Sequence, residues 1–352
     1  MSYPITIKKT TQSKHSDEVM QNVDFGKVFS DHMLVADYNE NGWQGIHIVP
    51  YQEISLSPAV SAIHYGQSVF EGMKAYADKD GHPLLFRPAE NWKRMNRSAE
   101  RMCMPEVPKE IFLDGLRELI QIDKHWVPRN EGSSLYIRPF MFATDDFIGI
   151  RPSQNYRFMI FCCPVNAYYP EPIRVKIETE YSRACQGGGG YAKAAGNYGQ
   201  ALYPAHLAQK EGYRQLIWTD ACDHKYIEES GTMNIFFQIG NSIVTPEAGG
   251  TILEGITRDS AIALMKDHGI DVQIRNVSVD EITAAYNQGE LLDAFGTGTA
   301  ATIAQISAIG YNDHDMILRD AKTREISNWL LKTLEEIKRG TAEDKWGWIE
   351  PV

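Results

Sequence analysis

The sequence predicts a protein of the α/β class, of the α+β type, with two domains. The chain has 352 residues, which exceeds the size of a typical single domain. Segments with the alternating pattern of strands are interspersed with segments of helical period along the whole chain. The segment "PVNAYYPEP" (164–172) contains three prolines, which stiffen the chain without helix or sheet hydrogen bonds. We therefore expect a smaller N-terminal α/β domain at 1–163, an interdomain loop at 164–175 and a larger C-terminal domain at 176–352.

The first half of the chain combines strand patterns with two helices. Strands are predicted at 33–38, 45–51, 134–142 and 156–165. The polar segment 78–81 predicts a hairpin turn. Pro88 is expected to open a helix through "AENWKRMNRSAERM", and a second helical period covers 109–122. The apolar face of the first of these helices consists of Trp92, Met95, Ala99 and Met102.

The second half alternates strands and helices. Strands are predicted at 174–181, 215–220, 232–239, 241–246, 271–277 and 291–295. Helices are predicted at about 199–210, at 257–268, 279–287 and 320–338. The pair Gly240-Asn241 predicts a hairpin turn between two of these strands. Pro204 lies inside the first predicted helix without an evident reason.

Composition and charge exclude several classes of function. Asp and Glu number 46 against 35 Lys and Arg, which gives a formal net charge of −11. Such a chain repels phosphate backbones and anionic lipids, so neither nucleic acid nor a membrane is expected as partner. The longest strongly apolar run, 158–165, is far shorter than the ~20 residues that span a bilayer. The N-terminus lacks a signal-peptide core, and the five cysteines include no C-x-x-C pair, so we expect reduced thiols, no metal and a cytoplasmic location.

The segment "GGGGYAKAAGNYG" (187–199) is the first candidate for chemistry. Four consecutive glycines predict a loop, and Lys193 has no ionisable carboxylate between residues 187 and 200. In apolar surroundings the pKa of a lysine falls, because burial disfavours the charged form. A neutral amine is a nucleophile that forms a Schiff base with a carbonyl. The alternative is an ordinary surface lysine on a flexible loop.

Three downstream segments complement this lysine. In "YIEESGTMNIFF" (226–237) Glu228 and Glu229 stand just ahead of a buried strand, where a carboxylate can keep a pyridine nitrogen protonated. The alternative is a pair of solvated acids at a turn. "LEGITRDSAIALM" (253–265) places a helix N-terminus, which attracts anions, at 255–257. "FGTGTAAT" (295–302) offers successive backbone N–H groups, and its match to a dinucleotide fingerprint is fortuitous because no Rossmann domain can follow it.

Seven spaced segments together resemble the branched-chain amino acid aminotransferases, which are pyridoxal phosphate (PLP) enzymes of fold type IV. They are "FEGMKAY" (70–76), "NWKRMNRSA" (91–99), "LYIRP" (135–139), "GGYAKAAGNYG" (189–199), "EESGTMNIF" (228–236), "ILEGITRDS" (252–260) and "FGTGTA" (295–300). The match covers about residues 30 to 340 in the family's order. The resemblance implies the two-domain architecture of D-amino-acid-aminotransferase-like proteins, with the cofactor lysine in the C-terminal domain and the cofactor between the domains.

The resemblance also implies roles for individual residues. Lys193 should form the Schiff base with PLP and move the proton during transamination, and Glu229 should pair with the pyridine nitrogen. Tyr198 should bond the phenolic oxygen of the cofactor. The implied phosphate ligands are Arg94, Ile256, Thr257 and Thr299. No metal is implied.

Substrate residues are implied in the same way. The expected apolar pocket is lined by Tyr65, Phe70, Tyr168 and Thr232, and the ligands of the distal carboxylate of glutamate are Tyr136 and Arg138. The α-carboxylate should bind at Thr299 and Ala300. Without the resemblance, the aromatic residues would be assigned to a core and the arginines to a solvated surface. An aromatic wall with one arginine at its rim would accept both a hydrocarbon side chain and a carboxylate.

The resemblance implies a homodimeric enzyme that reversibly transfers the amino group of leucine, isoleucine or valine to 2-oxoglutarate and yields glutamate. A second hypothesis keeps the cofactor and changes the substrate, as in D-amino-acid or (R)-amine transaminases and aminodeoxychorismate lyases. A third, from another class, is a non-catalytic protein that binds a phosphate-bearing ligand. The chain departs from mammalian relatives in one respect: Ala301 and Ala304 stand where those carry a C-x-x-C pair, so thiol regulation of that kind is excluded.

Overall fold

A computed structural model of the chain describes residues 3–21, 23–166, 169 and 171–352. The chain divides into two compact units. The first comprises Met1–Tyr168, Ala192–Gly196 and Glu336–Val352, and the second comprises Tyr169–Tyr191 and Asn197–Glu335. None of the helices among the described residues has both the length and the apolar composition needed to cross a membrane.

The strands of the first unit up to residue 166 are β1 (Thr6–Ile7), β2 (His32–Asn39), β3 (Gly42–Pro50), β4 (Ser68–Phe70), β5 (Met73–Ala77), β6 (Pro83–Phe86), β7 (Ser134–Ala143) and β8 (Tyr156–Val165). Its helices are α1 (Asp17–Gln21), α2 (Ser61–Tyr65), α3 (Pro88–Arg101) and α4 (Gly115–Ile122). A π-helical turn, Glu110–Asp114, leads into α4, so the predicted helix at 109–122 has two parts.

The strands of the first unit form one sheet in the order β1-β3-β2-β8-β7-β5-β6, with β4 beside β7. Neighbours are antiparallel except for β1 and β3. The apolar face predicted for α3 is confirmed, because Met95 and Ala99 are fully buried and Trp92 and Met102 pack against the same core. That core also contains Phe112 of the π-helical turn, so the helical segments and the sheet bury one continuous apolar cluster.

The second unit contributes strands β9 (Ile173–Ile177), β10 (Gln215–Thr219), β11 (Ile227–Ser230), β12 (Met233–Ile239), β13 (Ser242–Thr245), β14 (Asp271–Ile274), β15 (Leu291–Gly298), β16 (Thr302–Tyr311) and β17 (His314–Ile317). Its helical segments are α5 (Gly196–Gly199), whose first residue belongs to the first unit, α6 (Leu202–Lys210), α7 (Ile256–Asp267), α8 (Val279–Asn287) and most of α9 (Glu325–Lys338).

The second sheet closes on itself. Its order is β11-β10-β9-β16-β15-β12-β13-β14, and β11 also pairs with β12. This extra pairing joins β9, β10, β11, β12, β15 and β16 into a ring, which removes exposed edges from those strands. The apolar residues Val175, Ile217, Ile235, Ile306 and Ile309 are buried in the same core.

The chain returns to the first unit at two points. The C-terminal strand β18 (Ile349–Pro351) pairs with β6, and an ion pair of 2.7 Å joins Arg117 to Glu350. The segment Ala192–Gly196, which carries Lys193, also clusters with the first unit, whereas the sequence placed this lysine in the C-terminal domain. The physical reason is its hydrogen bonding to β4, described below.

Three features of the second half differ from the sequence prediction. The strands β11, β16 and β17 were not foreseen, and the predicted strand at 174–181 ends at Ile177. The helix expected from about residue 199 begins at Leu202, apart from the short α5. Pro204 therefore lies in the first turn of α6, where a missing N–H costs no intrahelical hydrogen bond.

Candidate active site

Lys193 is held at both of its backbone groups within the first unit. Its N–H donates to Oγ of Ser98 in α3 at 2.9 Å, and its carbonyl accepts the N–H of Phe70 in β4 at 3.1 Å. Ala194 forms a bridge with Val69, so the segment runs antiparallel to β4. The backbone of the lysine is therefore hydrogen-bonded to α3 and β4, which argues against the flexible-loop alternative.

The ring of Phe70 lies against a lysine and an arginine side chain. Nζ of Lys193 is 4.8 Å from the ring centroid, and Cζ of Arg138 is 4.7 Å from it. Nη2 of Arg138 donates to the hydroxyl of Tyr136 at 2.9 Å, and Cζ of Arg138 lies 5.4 Å from the Tyr136 ring centroid. Aromatic faces attract cations and also supply apolar surface. The structure thus brings together the predicted amine, part of the predicted aromatic wall and both predicted carboxylate ligands.

Arg94, the predicted phosphate ligand, forms a buried ion pair with Glu71. Its Nε donates to Oε1 of Glu71 at 2.7 Å, and its Nη2 donates to Oε2 at 2.8 Å. Asn91 adds a third bond, from Nδ2 to Oε2 at 2.7 Å. This two-point geometry fixes the plane of the guanidinium.

The predicted pyridine partner, Glu229, is buried in β11 of the second unit. Its Oε1 accepts from Nη2 of Arg183 at 2.7 Å and from the N–H of Leu253 at 2.7 Å. Glu228 is also buried in β11, so neither acid lies at a solvated turn, and both precede the buried strand β12 as predicted. Burial raises the pKa of Glu228, although the hydroxyl of Thr251 donates to its Oε1 at 2.5 Å and opposes the shift.

Strand register brings several of the remaining predicted residues of the second unit to one end of its sheet. Glu229 pairs with Asn234 across β11 and β12, and Asn234 pairs with Thr297 across β12 and β15. Nδ2 of Asn234 donates to the carbonyl of Leu253 at 2.8 Å, which ties the segment before α7 to the same end. The turns at this end of the sheet carry Thr232, Thr299 and Ala300, and Ile256 and Thr257 open α7, which follows the tied segment.

The glycine run is shaped by close backbone contacts. Gly187 has a φ of 77°, in the left-handed region that glycine tolerates. A Cβ at Gly190 would collide with the carbonyl oxygen of Thr251 and with Ala184. The carbonyl of Gly189 accepts Nδ2 of Asn197 at 2.8 Å. At least Gly187 and Gly190 are therefore required by conformation and by space.

The roles of three predicted tyrosines rest on the resemblance alone. Tyr65 is exposed at the end of α2, with its ring 6.2 Å from that of His64. Tyr198 is half-buried in α5. Tyr168 lies outside the described residues. The roles given to all three stay predictions.

Sequence reasoning missed four residues that contact the predicted ones. Ser98 bonds Lys193, Glu71 pairs with Arg94 and Arg183 pairs with Glu229. The ring of Phe25 lies 5.0 Å from that of Tyr136. A lone acid in the apolar segment "SVFEGM" and a lone arginine before "ACQGGGG" were the only signals for Glu71 and Arg183.

The absence of a metal also stays a prediction. Among the described residues, Asp78, Asp80 and His82 bring ligand atoms within 4.8 Å of one another. This group lies on the predicted hairpin turn between β5 and β6. The Asp78 carboxylate already accepts the backbone N–H groups of Asp80 and His82, at 2.9 and 2.8 Å, which accounts for the grouping without an ion.

The donor groups fit pyridoxal phosphate. The first unit offers the Lys193 amine for its aldehyde and the Arg94 guanidinium for its phosphate. The second offers a buried carboxylate, Glu229, for the ring nitrogen, and the N-terminus of the 12-residue helix α7 for an anion. Gly255, which precedes α7, is extended, and a Cβ there would collide with Oδ1 of Asn234, so this approach needs glycine.

Comparisons with known proteins agree with this chemistry. A family described as Amino-transferase class IV matches residues 68–309. Branched-chain-amino-acid aminotransferase 2 of Bacillus subtilis is 45% identical over 352 residues, which cover 99% of this chain and 97% of that protein. A T.th. branched-chain amino acid aminotransferase, solved with N-(5'-phosphopyridoxyl)-L-glutamate, is 26% identical with a TM-score of 0.74 and covers 90% of this chain and 97% of its own.

The enzyme of the same name from Escherichia coli is 26% identical, with a TM-score of 0.73 over 91% of this chain and 98% of its own. Class IV aminotransferases use PLP, so the predicted fold class and cofactor are confirmed. The chain belongs to the class IV aminotransferases and, among them, to the branched-chain amino acid aminotransferases.

Proposed function

We propose that this enzyme transfers the amino group of leucine, isoleucine or valine reversibly to 2-oxoglutarate, with Lys193 as its catalytic residue. The observation that carries the proposal is the anchoring of Lys193 by Ser98 and by the backbone of Phe70, next to an aromatic surface that also holds Arg138. The same surface can face a hydrocarbon side chain or, through the guanidinium, a distal carboxylate. This matches the two kinds of substrate that such a reaction needs.

The chain's own residues then have distinct tasks. PLP, when bound, supplies the electron sink. The Lys193 amine would hold the cofactor aldehyde and would move the proton at the substrate α-carbon. The carboxylate of Glu229, oriented by Arg183, accepts the hydrogen bond of the ring N–H, and Tyr198 bonds the phenolic oxygen. The proposed phosphate ligands are Arg94, Thr299 and the N–H groups of Ile256 and Thr257.

Substrate contacts follow from the first-unit cluster and from the sheet end of the second unit. Tyr136 accepts a hydrogen bond from Arg138, so its own O–H is available to donate to the same carboxylate as the guanidinium. The proposed apolar wall is formed by Tyr65, Phe70, Tyr168 and Thr232. The proposed ligands of the α-carboxylate are the amides of Thr299 and Ala300.

The proposed assembly is a homodimer in the cytoplasm. A set of apolar side chains in the first unit is exposed, with Ile150 at 93%, Ile148 at 67% and Ile63 at 67%. Exposed apolar side chains that form a contiguous patch are typical of protein interfaces. Replacement of Ile150 by Asp should shift the sedimentation mass toward one chain, and an unchanged mass would remove this support for a dimer. The unpaired cysteines fit a reducing compartment.

Reduction with borohydride followed by peptide mapping tests the role of Lys193. We expect the label at Lys193 in the wild type, and also in a Lys210→Ala control, since Lys210 is exposed at the end of α6. Lys193→Ala should lose at least about a hundredfold in rate, the usual size of general acid–base catalysis. A label elsewhere, or near-normal turnover without this lysine, would contradict the proposal.

Spectra of the bound cofactor test the substrate. L-leucine should convert the aldehyde form to the amine form, and 2-oxoglutarate should restore it. Conversion by D-leucine instead would favour the D-amino-acid enzymes, and conversion by neither would favour another activity of the same fold.

A further inference from the structure

Glu71 is a completely buried carboxylate between β4 and β5. Its relative exposure is 0%, and it lies directly after Phe70, whose N–H bonds the carbonyl of Lys193. Besides the two bonds from Arg94 and the one from Asn91, its Oε2 accepts the N–H of Gly72 at 3.2 Å. These donors come from α3 and from the residue that follows Glu71.

The ion pair determines which edge of the arginine can bind anything else. Glu71 occupies the edge formed by Nε and Nη2, so Nη1 lies on the opposite edge. Burial would raise the pKa of the Glu71 carboxyl, but the charges of Arg94 and Lys193 and the bonds from Arg94 and Asn91 outweigh it and lower that pKa. Glu71 is therefore a buried negative charge that is paired with Arg94.

Stability alone does not explain this arrangement. A buried ion pair gains little net free energy, because the cost of removing both charges from water offsets their attraction. Orientation is a more specific benefit, since two parallel hydrogen bonds hold a guanidinium in one plane.

We infer that Glu71 is a positioning residue that orients Arg94 toward the cofactor phosphate. The inference rests on the proposed function, in which Arg94 is a phosphate ligand. Glu71 itself does not contact the phosphate, because two anions repel each other. Its removal should weaken the binding of the phosphate group and leave the binding of the pyridine ring nearly unchanged.

The test compares PLP with pyridoxal, which lacks the phosphate. Apparent dissociation constants are measured by absorbance on the full chain freed of cofactor and reconstituted. Glu71→Gln keeps the shape and one acceptor oxygen, but its NH2 group replaces the other oxygen, so one of the two parallel bonds to Arg94 is lost and the guanidinium is no longer held at two points. We expect PLP binding to weaken about tenfold or more, while pyridoxal binding changes less than about threefold. The hemiacetal of free pyridoxal is common to all variants and cancels in the comparison.

Two further variants complete the cycle. Arg94→Gln should also weaken the binding of PLP more than that of pyridoxal. The double variant should bind PLP no more weakly than Arg94→Gln alone, because Glu71 acts only through Arg94. Asp293→Asn is the matched control, since Asp293 is also a buried carboxylate paired with an arginine, Arg324, at 3.1 Å. It should leave the ratio of the two dissociation constants unchanged. If Glu71→Gln does not fold, Glu71→Asp, which withdraws the carboxylate by one methylene, should lower the same preference for PLP.

The outcomes separate the inference from the proposed function. The inference is overturned if Glu71→Gln weakens the binding of PLP and of pyridoxal equally, or if the effects of Glu71→Gln and Arg94→Gln on PLP binding add in the double variant. The proposed function stands in either case if Arg94→Gln weakens PLP binding more than pyridoxal binding. If Arg94→Gln itself shows no preference between PLP and pyridoxal, Arg94 is not a phosphate ligand, and both fail.

Discussion

Replacement of Tyr136 by Phe should change the balance between the two substrates of the enzyme. The substitution removes only the hydroxyl that accepts Nη2 of Arg138 at 2.9 Å. The ring, with its contact to Phe25 at 5.0 Å, is retained. Arg138 then keeps its contact with the Phe70 ring and loses its neutral hydrogen-bond partner.

The size of the effect follows from the bonds that are lost. A hydrogen bond that involves a charged group contributes about 1.5–3 kcal/mol. The remaining cation–π contact, worth about 0.5–1 kcal/mol, keeps part of the orientation of Arg138, so the lower end of that range applies. Because about 1.4 kcal/mol corresponds to a factor of ten, kcat/KM for glutamate should fall about tenfold. Leucine has no distal carboxylate, and its kcat/KM should change less than about twofold.

Single-turnover absorbance measurements of each half-reaction provide the assay, because they follow the donors separately. Tyr51→Phe is a suitable control: Tyr51 stacks on Phe29 at 4.7 Å and has no contact with the guanidinium of Arg138 among the described residues. This control should alter neither rate selectively. Equal losses for glutamate and leucine would show that Tyr136 supports the site as a whole, and no loss for glutamate would refute its role in binding the carboxylate.

Three further changes test neighbouring parts of the structure. Gly72→Ala places a Cβ against the Tyr136 hydroxyl, so it should reproduce the selective loss for glutamate and cost about 1–3 kcal/mol of stability, measured by urea unfolding. Asp293→Asn leaves the buried arginine that pairs with it without a counter-ion and should cost about 3 kcal/mol or more in the same assay. Burial disfavours ionisation of Asp31, but hydrogen bonds led by that from Ser13 outweigh it and lower its pKa from 3.8 to about 2. The ionised Asp31 should therefore stabilise the fold by about 2 kcal/mol above about pH 4, and this stabilisation should be lost as the pH falls to about 2. If the free energies of unfolding of the wild type and of an Asp31→Asn variant change in parallel between about pH 4 and about pH 2, the prediction is wrong.

Elements with a complete local pattern could be predicted from the sequence. The helix that starts at Pro88 and the paired strands at 134–143 and 156–165 agree with prediction to within about a residue, because periodicity and a start signal lie in the elements themselves. The strand that contains Glu229 could not be predicted, because its four residues include two acids and a serine. Their burial depends on pairing with β10 and β12, which is a tertiary effect.

The candidate site shows the same division. The residues expected to contact the cofactor could be predicted from the sequence and its resemblance to a family. The residues that form hydrogen bonds with them could not. Lys193 is bonded by Ser98, which is 95 positions away in the chain, and Glu229 is bonded by Arg183, 46 positions away. No local pattern encodes such pairs, since they arise only when separate elements are packed together. The sequence therefore predicts the cofactor-binding residues but not the residues, such as Ser98 and Arg183, that position them.

Each of the two supporting ion pairs joins an arginine to a carboxylate, but the residue proposed to bind the cofactor is the arginine in one pair and the carboxylate in the other. In the first unit the arginine, Arg94, is the proposed cofactor ligand and Glu71 orients it, as an anionic phosphate requires. In the second unit the carboxylate, Glu229, is the proposed ligand and Arg183 orients it, as a cationic pyridine nitrogen requires. In each pair the partner residue offsets the desolvation cost of burying the charged residue that is proposed to bind the cofactor, because an unpaired buried charge is strongly unfavourable. The polarity of each pair thus matches the charge of the cofactor group that its ligand residue is proposed to bind.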